Sequence, residues 1–278
     1  MLIPVSGLIF VFVILLGLIY FFVPDNIDNF LSVQNLKTIL KQTVIVGIGA
    51  MAMTVIIVSG GIDLSAGSVV ALTAVFCAHC VNWLNGDIVV LGIFPIPILF
   101  SVFVGAFIGF INGTISARLN IAPFIVTLGM MLIARGLAEG VAEQSVVRTP
   151  DNWLKTLMMR EPALEWLVFA PGVWVNVILF LVTMLLLRCS VFGRYVFAIG
   201  ANEQAAKFSG INVTKQKILI YTLGGAMFGL AGVMSYAEIG DGDPTTAVAL
   251  ELDIIAAVVI GGASLAGGRG SALGSIIG

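Results

Sequence analysis

The chain has 278 residues, 59% of them hydrophobic and only 10% charged, with a formal net charge of −2. A soluble domain carries about 25% charged residues, and a chain of mean hydropathy +1.12 cannot keep its apolar surface from water by folding alone. A large soluble domain, a nucleic-acid-binding protein and a secreted scaffold are thereby excluded, and no bulk field selects a partner.

The first apolar run, residues 9–23, has no basic leader and no small-residue cleavage site after it. It runs on into the polar PDNIDNF, so it reads as a membrane span and not as a removed signal. One crossing needs about 20 apolar residues. The pattern predicts eight spans, at 8–23, 43–59, 68–83, 88–111, 124–141, 174–187, 218–236 and 252–260. Two longer polar stretches separate them. Residues 144–170 carry Arg148, Asp151, Lys155, Arg160, Glu161 and Glu165, with Pro150 and Pro162. Residues 188–217 carry Arg188, Arg194, Lys207, Lys215 and Lys217 against Glu203 alone. Basic loops stay in the cytoplasm, so residues 188–217 and both chain ends are expected inside. Residues 241–253, with Asp241, Asp243, Glu251 and Asp253, are expected outside. No linker interrupts the chain, which predicts one integral membrane domain over residues 1–278. The chain stops within the apolar GSALGSIIG, and the fold is expected to continue past Gly278, so that the sequence is a truncated one.

Glycine-rich polar segments interrupt the spans. SGGIDLSAGS, residues 59–68, places Asp63 close to membrane depth. Asp63 either caps a helix starting at Leu64 in a cytoplasmic turn or belongs to a broken helix lining a pathway or gate. ELDIIAAVVIGGASLAGGRGS, residues 251–271, opens with Glu251 and Asp253 and closes with glycine pairs. The two acids suit the positive end of a helix dipole or the outer mouth of a path. VIIVSGG at 55–61 and VVIGG at 258–262 look alike but are too short to establish a repeat. Gly105, Gly109 and Gly113, and Gly224, Gly225, Gly229 and Gly232, predict close helix packing. Asn112 either bonds across helices or lines a path. Arg135, Glu139 and Glu143 fall toward the end of one span.

Catalytic signals are missing. No GxxxxGK[ST], HExxH or GxSxG occurs. The sole histidine, His79, sits beside Cys77 and Cys80 without the spacing of a zinc site. These three read as packing residues, and with Cys189 the cysteines form no disulfide framework. No cofactor and no metal is expected, and any ATP chemistry would need a separate chain.

The segment GRYVFAIGANEQAAKFSGINVTKQK, residues 193–217, is polar and helix-prone in its centre. Gly200 and Gly210 bound a short helix, and Glu203 and Lys207 are spaced to pair across one turn. A short helix in a basic cytoplasmic loop is a docking element or a plain solvated loop.

Four segments in this order resemble sugar-type ABC importer permeases, such as the ribose, xylose and galactofuranose permeases. They are GGIDLSAG at 60–67, PFIVTLG at 123–129, GRYVFAIGANEQAAKFSGI at 193–211 and ELDIIAAVVIGGASLAGG at 251–268. Ala66 stands where many members have valine. The resemblance covers nearly the whole chain. It implies an all-α polytopic bundle with broken helices, of the type II ABC importer permease fold, in the bacterial inner membrane. It implies a second permease copy or homologue, a cytoplasmic ATPase subunit and a periplasmic binding protein delivering a simple sugar, with membrane lipid around the bundle and no nucleic acid. It makes residues 193–211 the ATPase-coupling loop, carried by Gly193, Arg194, Gly200, Ala201, Asn202, Glu203, Ala206, Gly210 and Ile211. In that loop Ala201, Ala205 and Ala206 would face the ATPase groove. Asp63, Asn112, Thr127, Glu251 and Asp253 become the pathway or gate candidates. Alternating access driven by ATP hydrolysis on the partner is the implied mechanism. The rival readings are a secondary transporter or channel without an ATPase, a membrane enzyme, and a branched-chain amino acid permease within the same family.

Overall fold

The computed structural model describes residues 13–14, 16–18, 20–22, 30–84, 95–162 and 167–278. The expected first span therefore falls partly outside the described residues, as do the opening residues of the expected span 88–111 and Glu165. The described fold is helical. It runs α1 (Val33–Val58), α2 (Ala66–Trp83), α3 (Ile96–Leu119), α4 (Pro123–Val141), a 3₁₀ turn (Trp153–Met158), α5 (Pro171–Cys189), α6 (Val191–Ala201), α7 (Glu203–Phe208), α8 (Val213–Ile239), α9 (Leu250–Ile260) and α10 (Ala272–Ile277). The one extended pairing among the described residues is the isolated bridge Val147–Gly242.

Local chemistry fixes the helix ends. Pro123 and Pro171 occupy first helical positions, where their missing N–H costs nothing. Ser32, Ser190, Asn202, Asn212 and Ser271 each accept a backbone N–H as N-cap. Asn120 and Gly240 end α3 and α8 in left-handed conformations.

Six described helices are long and apolar enough to cross a membrane: α1, α2, α3, α4, α5 and α8. The expectation of eight spans fails at residues 252–260. Helix α9 has 11 residues, about 16 Å of rise, against a hydrocarbon core of about 30 Å. It is a half-helix. Helix α1 also begins ten residues before the expected 43–59, taking in Lys37 and Lys41, and Lys41 pairs with Glu238 at 3.6 Å.

Helices α1, α2 and α8 form the interior, while α3, α4 and α5 present apolar faces outward. Phe103, Phe107, Ile125, Leu132, Ile178 and Leu185 are exposed there, a surface suited to lipid. The tightest packing joins α3 to α8. Gly105 lies against Gly225 and Gly229, Gly109 against Tyr221, and Gly113 against Ile218, so the pair is antiparallel and in backbone contact. Gly224 faces Ile56, and Gly232 faces Thr73. The glycine spacing thus does what it predicts.

The bundle has two ends. The α6–α7 end collects Val58, Gly200 and the start of α8. The opposite end collects Trp83, the 3₁₀ turn and the close of α8, where the Thr149 and Asn152 side chains bond the Tyr236 hydroxyl, each at 2.8 Å.

Candidate functional site

Three glycine-rich segments converge at the α6–α7 end. Gly268 N–H donates to the Val58 carbonyl at 2.8 Å. Gly200 lies against that carbonyl and the Gly268 amide, and Gly267 lies against Gly60 and Gly200. Gly60, Gly267 and Gly268 have positive φ, at 86°, 84° and 70°, conformations that favour glycine. One residue from each of three sequence-distant motifs therefore meets backbone to backbone, with no side chain between.

From this corner α7 projects outward. Asn202 caps it, accepting from Ala205 N–H at 2.9 Å. Gly210, at φ 83°, ends it. Ile211 N–H reaches Ala206 O and Gly210 N–H reaches Lys207 O, both at 3.1 Å, the paired bonds of a left-handed helix stop. Ala201, Asn202, Glu203, Lys207 and Gly210 are exposed, as is Arg194, while Gly193 is buried against Leu186 and Leu187. Two expectations are corrected here. Ala206 does not face outward; it is buried with Ile199 and Val213 and holds α7 to the bundle. Glu203 bonds Lys217 of α8 at 2.7 Å and not Lys207. Among the described large hydrophobic residues Phe208 is the most exposed, at 89%.

A buried polar cluster lies between α1 and α2. Asp63 accepts from Ser65 N–H at 2.8 Å and from Ser65 Oγ–H at 2.6 Å. Asn112 Nδ2–H donates to Ser65 Oγ at 3.0 Å. Thr127 Oγ1 accepts from Leu64 N–H at 3.1 Å and donates to Ile62 O at 3.3 Å. Asp63, Asn112 and Thr127, far apart in sequence, thus share one site. Asp63 is not the cap of a helix starting at Leu64. The helix starts at Ala66 after Ser65, and Asp63 folds back on the residue two ahead. Burial pushes its carboxyl above the usual carboxylate range, and the two Ser65 donors pull against that shift. Among the described residues no ion pair reaches it.

Glu251 and Asp253 lie elsewhere. Beyond Gly240 the chain turns inward along α2: Gly242 packs on Val75 and Ala78, and Ala247 on Gly67. Helix α9 starts at that depth. Its Glu251 carboxylate sits against Gly67 in the first turn of α2, where the helix dipole suits an anion. Asp253 is exposed on α9. The inturned segment is held by Arg135 of α4, which donates to Pro244 O at 2.6 Å, Thr246 O at 2.9 Å and Ala247 O at 3.5 Å. Glu251, Glu139 and Asp243 are the carboxylates whose charge Arg135 feels. Arg135 lies within α4, which ends at Val141 as the expected span does.

Sequence reasoning did not anticipate the contacts of Arg135 and Gly67 or the exposure of Phe208. Only Arg135 carried a usable signal, a basic residue inside an apolar helix.

A bundle of spanning-length helices, interrupted by glycine turns around buried polar groups, defines a multi-pass helical membrane protein. The family model described as branched-chain amino acid transport system / permease component matches residues 35–278, and the chain belongs to that family. It is 39% identical over 250 residues to the ribose import permease protein RbsC of Escherichia coli K12, covering 90% of this chain and 76% of that one. It is 37% identical to the fructose import permease protein FrcC of Rhizobium meliloti, covering 90% and 69%. It is 35% identical to the L-arabinose ABC transporter permease protein AraH of Azospirillum brasilense, covering 98% and 76%. No solved structure matches the chain.

Proposed function

We propose that this chain is the permease subunit of an ABC importer for a simple sugar, driven by a separate cytoplasmic ATPase that docks on α7. The sugar-permease names of its relatives support the cargo class over a branched-chain amino acid. The observation that carries the coupling role is the corner at Gly200. There an exposed short helix is joined through backbone contacts to both glycine-broken segments, 60–67 and 251–268. A push on α7 reaches the interior without passing through a flexible side chain.

In this reading the α6–α7 end is cytoplasmic, and a sugar-loaded periplasmic binding protein delivers cargo at the other end. ATP binding moves α7, and α9 carries the motion toward mid-membrane. Cargo and nucleotide couple because each binds the two states unequally. Asp253, exposed in the first turn of α9, supports a path or a second permease along α9, since a charge facing lipid is costly. The test is uptake of labelled ribose, fructose and arabinose by the permease reconstituted with an ABC-importer ATPase and a periplasmic sugar-binding protein. ATP-dependent uptake of a sugar is expected. Uptake that proceeds without the ATPase would replace this reading with a secondary transporter.

A further inference from the structure

Arg135 holds the part of the chain that most needs holding. Residues 240–249 leave the helical ladder at Gly240 and descend along α2 as far as Gly67, in its first turn. Backbone carbonyls at such depth have no water to bond, and irregular chain persists there only where protein supplies the partners. The guanidinium supplies them, reaching the carbonyls of Pro244, Thr246 and Ala247 from one rigid fork. Two non-glycine residues of this stretch, Ala247 and Ala249, sit at φ 57° and 63°, a conformation an alanine leaves when released. Ala249 directly precedes α9, so the clamp also sets where the half-helix begins.

We propose that Arg135 is a positioning residue that latches the inturned segment 244–247 closed against α2 and α4, and that the far half of the path opens by its release. The proposal rests on the permease reading. Water explains why the latch is reversible. While the segment is closed, the guanidinium bonds all three carbonyls, and the Ala247 carbonyl also accepts from Leu250 N–H at 3.3 Å. When the far half opens, entering water takes over both sets of bonds, and the left-handed alanines relax. Helix α9 starts at this segment and ends at Ile260, and residues 261–268 lead on to the Gly268 corner, so residues 250–268 link motion at α7 to release at Arg135. Lysine at this position keeps the charge but lacks the fork, so it satisfies fewer carbonyls.

The experiment uses the full-length protein in intact cells, with Cys77, Cys80 and Cys189 replaced by alanine. Thr246→Cys is labelled with a membrane-impermeant maleimide, and Asp151→Cys reports the orientation of the chain separately. Neither sugar nor ATPase is needed, so this result and the cargo assignment fail independently. Arg135→Gln is expected to raise the Thr246→Cys labelling rate about tenfold, as losing a charge-assisted hydrogen bond would, without changing the rate at Asp151→Cys. Arg135→Lys is expected to fall between wild type and Arg135→Gln. An unchanged Thr246→Cys rate in Arg135→Gln at normal membrane abundance overturns the latch. So does the loss of both Arg135→Gln and Arg135→Lys from the membrane, which would make Arg135 a folding residue only.

Discussion

Gly67 and Glu251 are in contact because Gly67 has no side chain. A Cβ on Gly67 would meet both the Glu251 carboxylate and the Ala247 carbonyl. The first turn of α2 and the first turn of α9 therefore approach as closely as backbone allows, and the carboxylate rests at the positive end of α2. This contact locks the two broken motifs together inside the bundle, as the Gly60–Gly267 contact locks them at the α6–α7 end.

Gly67→Ala is expected to destabilise the protein by about 1–3 kcal/mol, the cost of overpacking a tight site. Gly129→Ala is the control: it is also a motif glycine, but nothing lies within 4 Å of its added Cβ. Replacing a helical glycine with alanine there should be neutral or stabilising by up to ~1 kcal/mol. Thermal unfolding in detergent separates the two. Equal melting temperatures would mean the α2–α9 contact is loose.

Asp63 serves as an acceptor for Ser65. Asp63→Asn keeps an oxygen in place for both Ser65 donors, so its melting temperature should stay near wild type. Asp63→Ala leaves those donors buried without a partner and should cost about 1–3 kcal/mol. If Asp63→Asn unfolds as readily as Asp63→Ala, the negative charge itself is required.

The sequence declares short-range features well and depth poorly. Gly210 after Ser209 ends α7 as that chemistry demands, whereas Gly200, expected to open the helix, lies within α6 and Asn202 is the cap. The glycines of α3 and α8 announce a close crossing for the same reason, since only missing side chains permit it. Residues 252–260 mislead, because apolar content does not reveal that the preceding loop has already descended along α2 to Gly67 in its first turn. Ala206 misleads in another way. A small residue is equally suited to touching a partner and to packing inward, and only the position of Ile199 and Val213 decides it. Arg135 reads as a charge near a span's end until the carbonyls of residues 244–247 are seen opposite it.

Gly200→Ala should separate assembly from coupling. The added Cβ collides with the Val58 carbonyl, spreading the corner while leaving the exposed face of α7 untouched. The ATPase should still co-purify with the permease. Its hydrolysis should no longer rise when sugar-loaded binding protein is added. Full stimulation in Gly200→Ala would place the transmission route elsewhere.

The last prediction concerns Phe208 and Ala206, two residues apart on α7 and facing opposite ways. Phe208 is 89% exposed and Ala206 is 4% exposed. Exposed aromatic anchors dominate many interfaces, and truncating one commonly costs 2 kcal/mol or more, roughly thirtyfold in affinity. Phe208→Ser should therefore weaken ATPase association about thirtyfold while the melting temperature of the permease stays unchanged. Ala206→Trp should do the reverse in kind. A ring forced between Ile199 and Val213 must displace α7 from its seat, so stability falls first and association is lost with it. Titrating purified ATPase against each variant, beside an unfolding curve for each, distinguishes the two effects. If Phe208→Ser binds as wild type does, the docking face lies on Glu203 and Lys207, and the aromatic side chain is an idle tip.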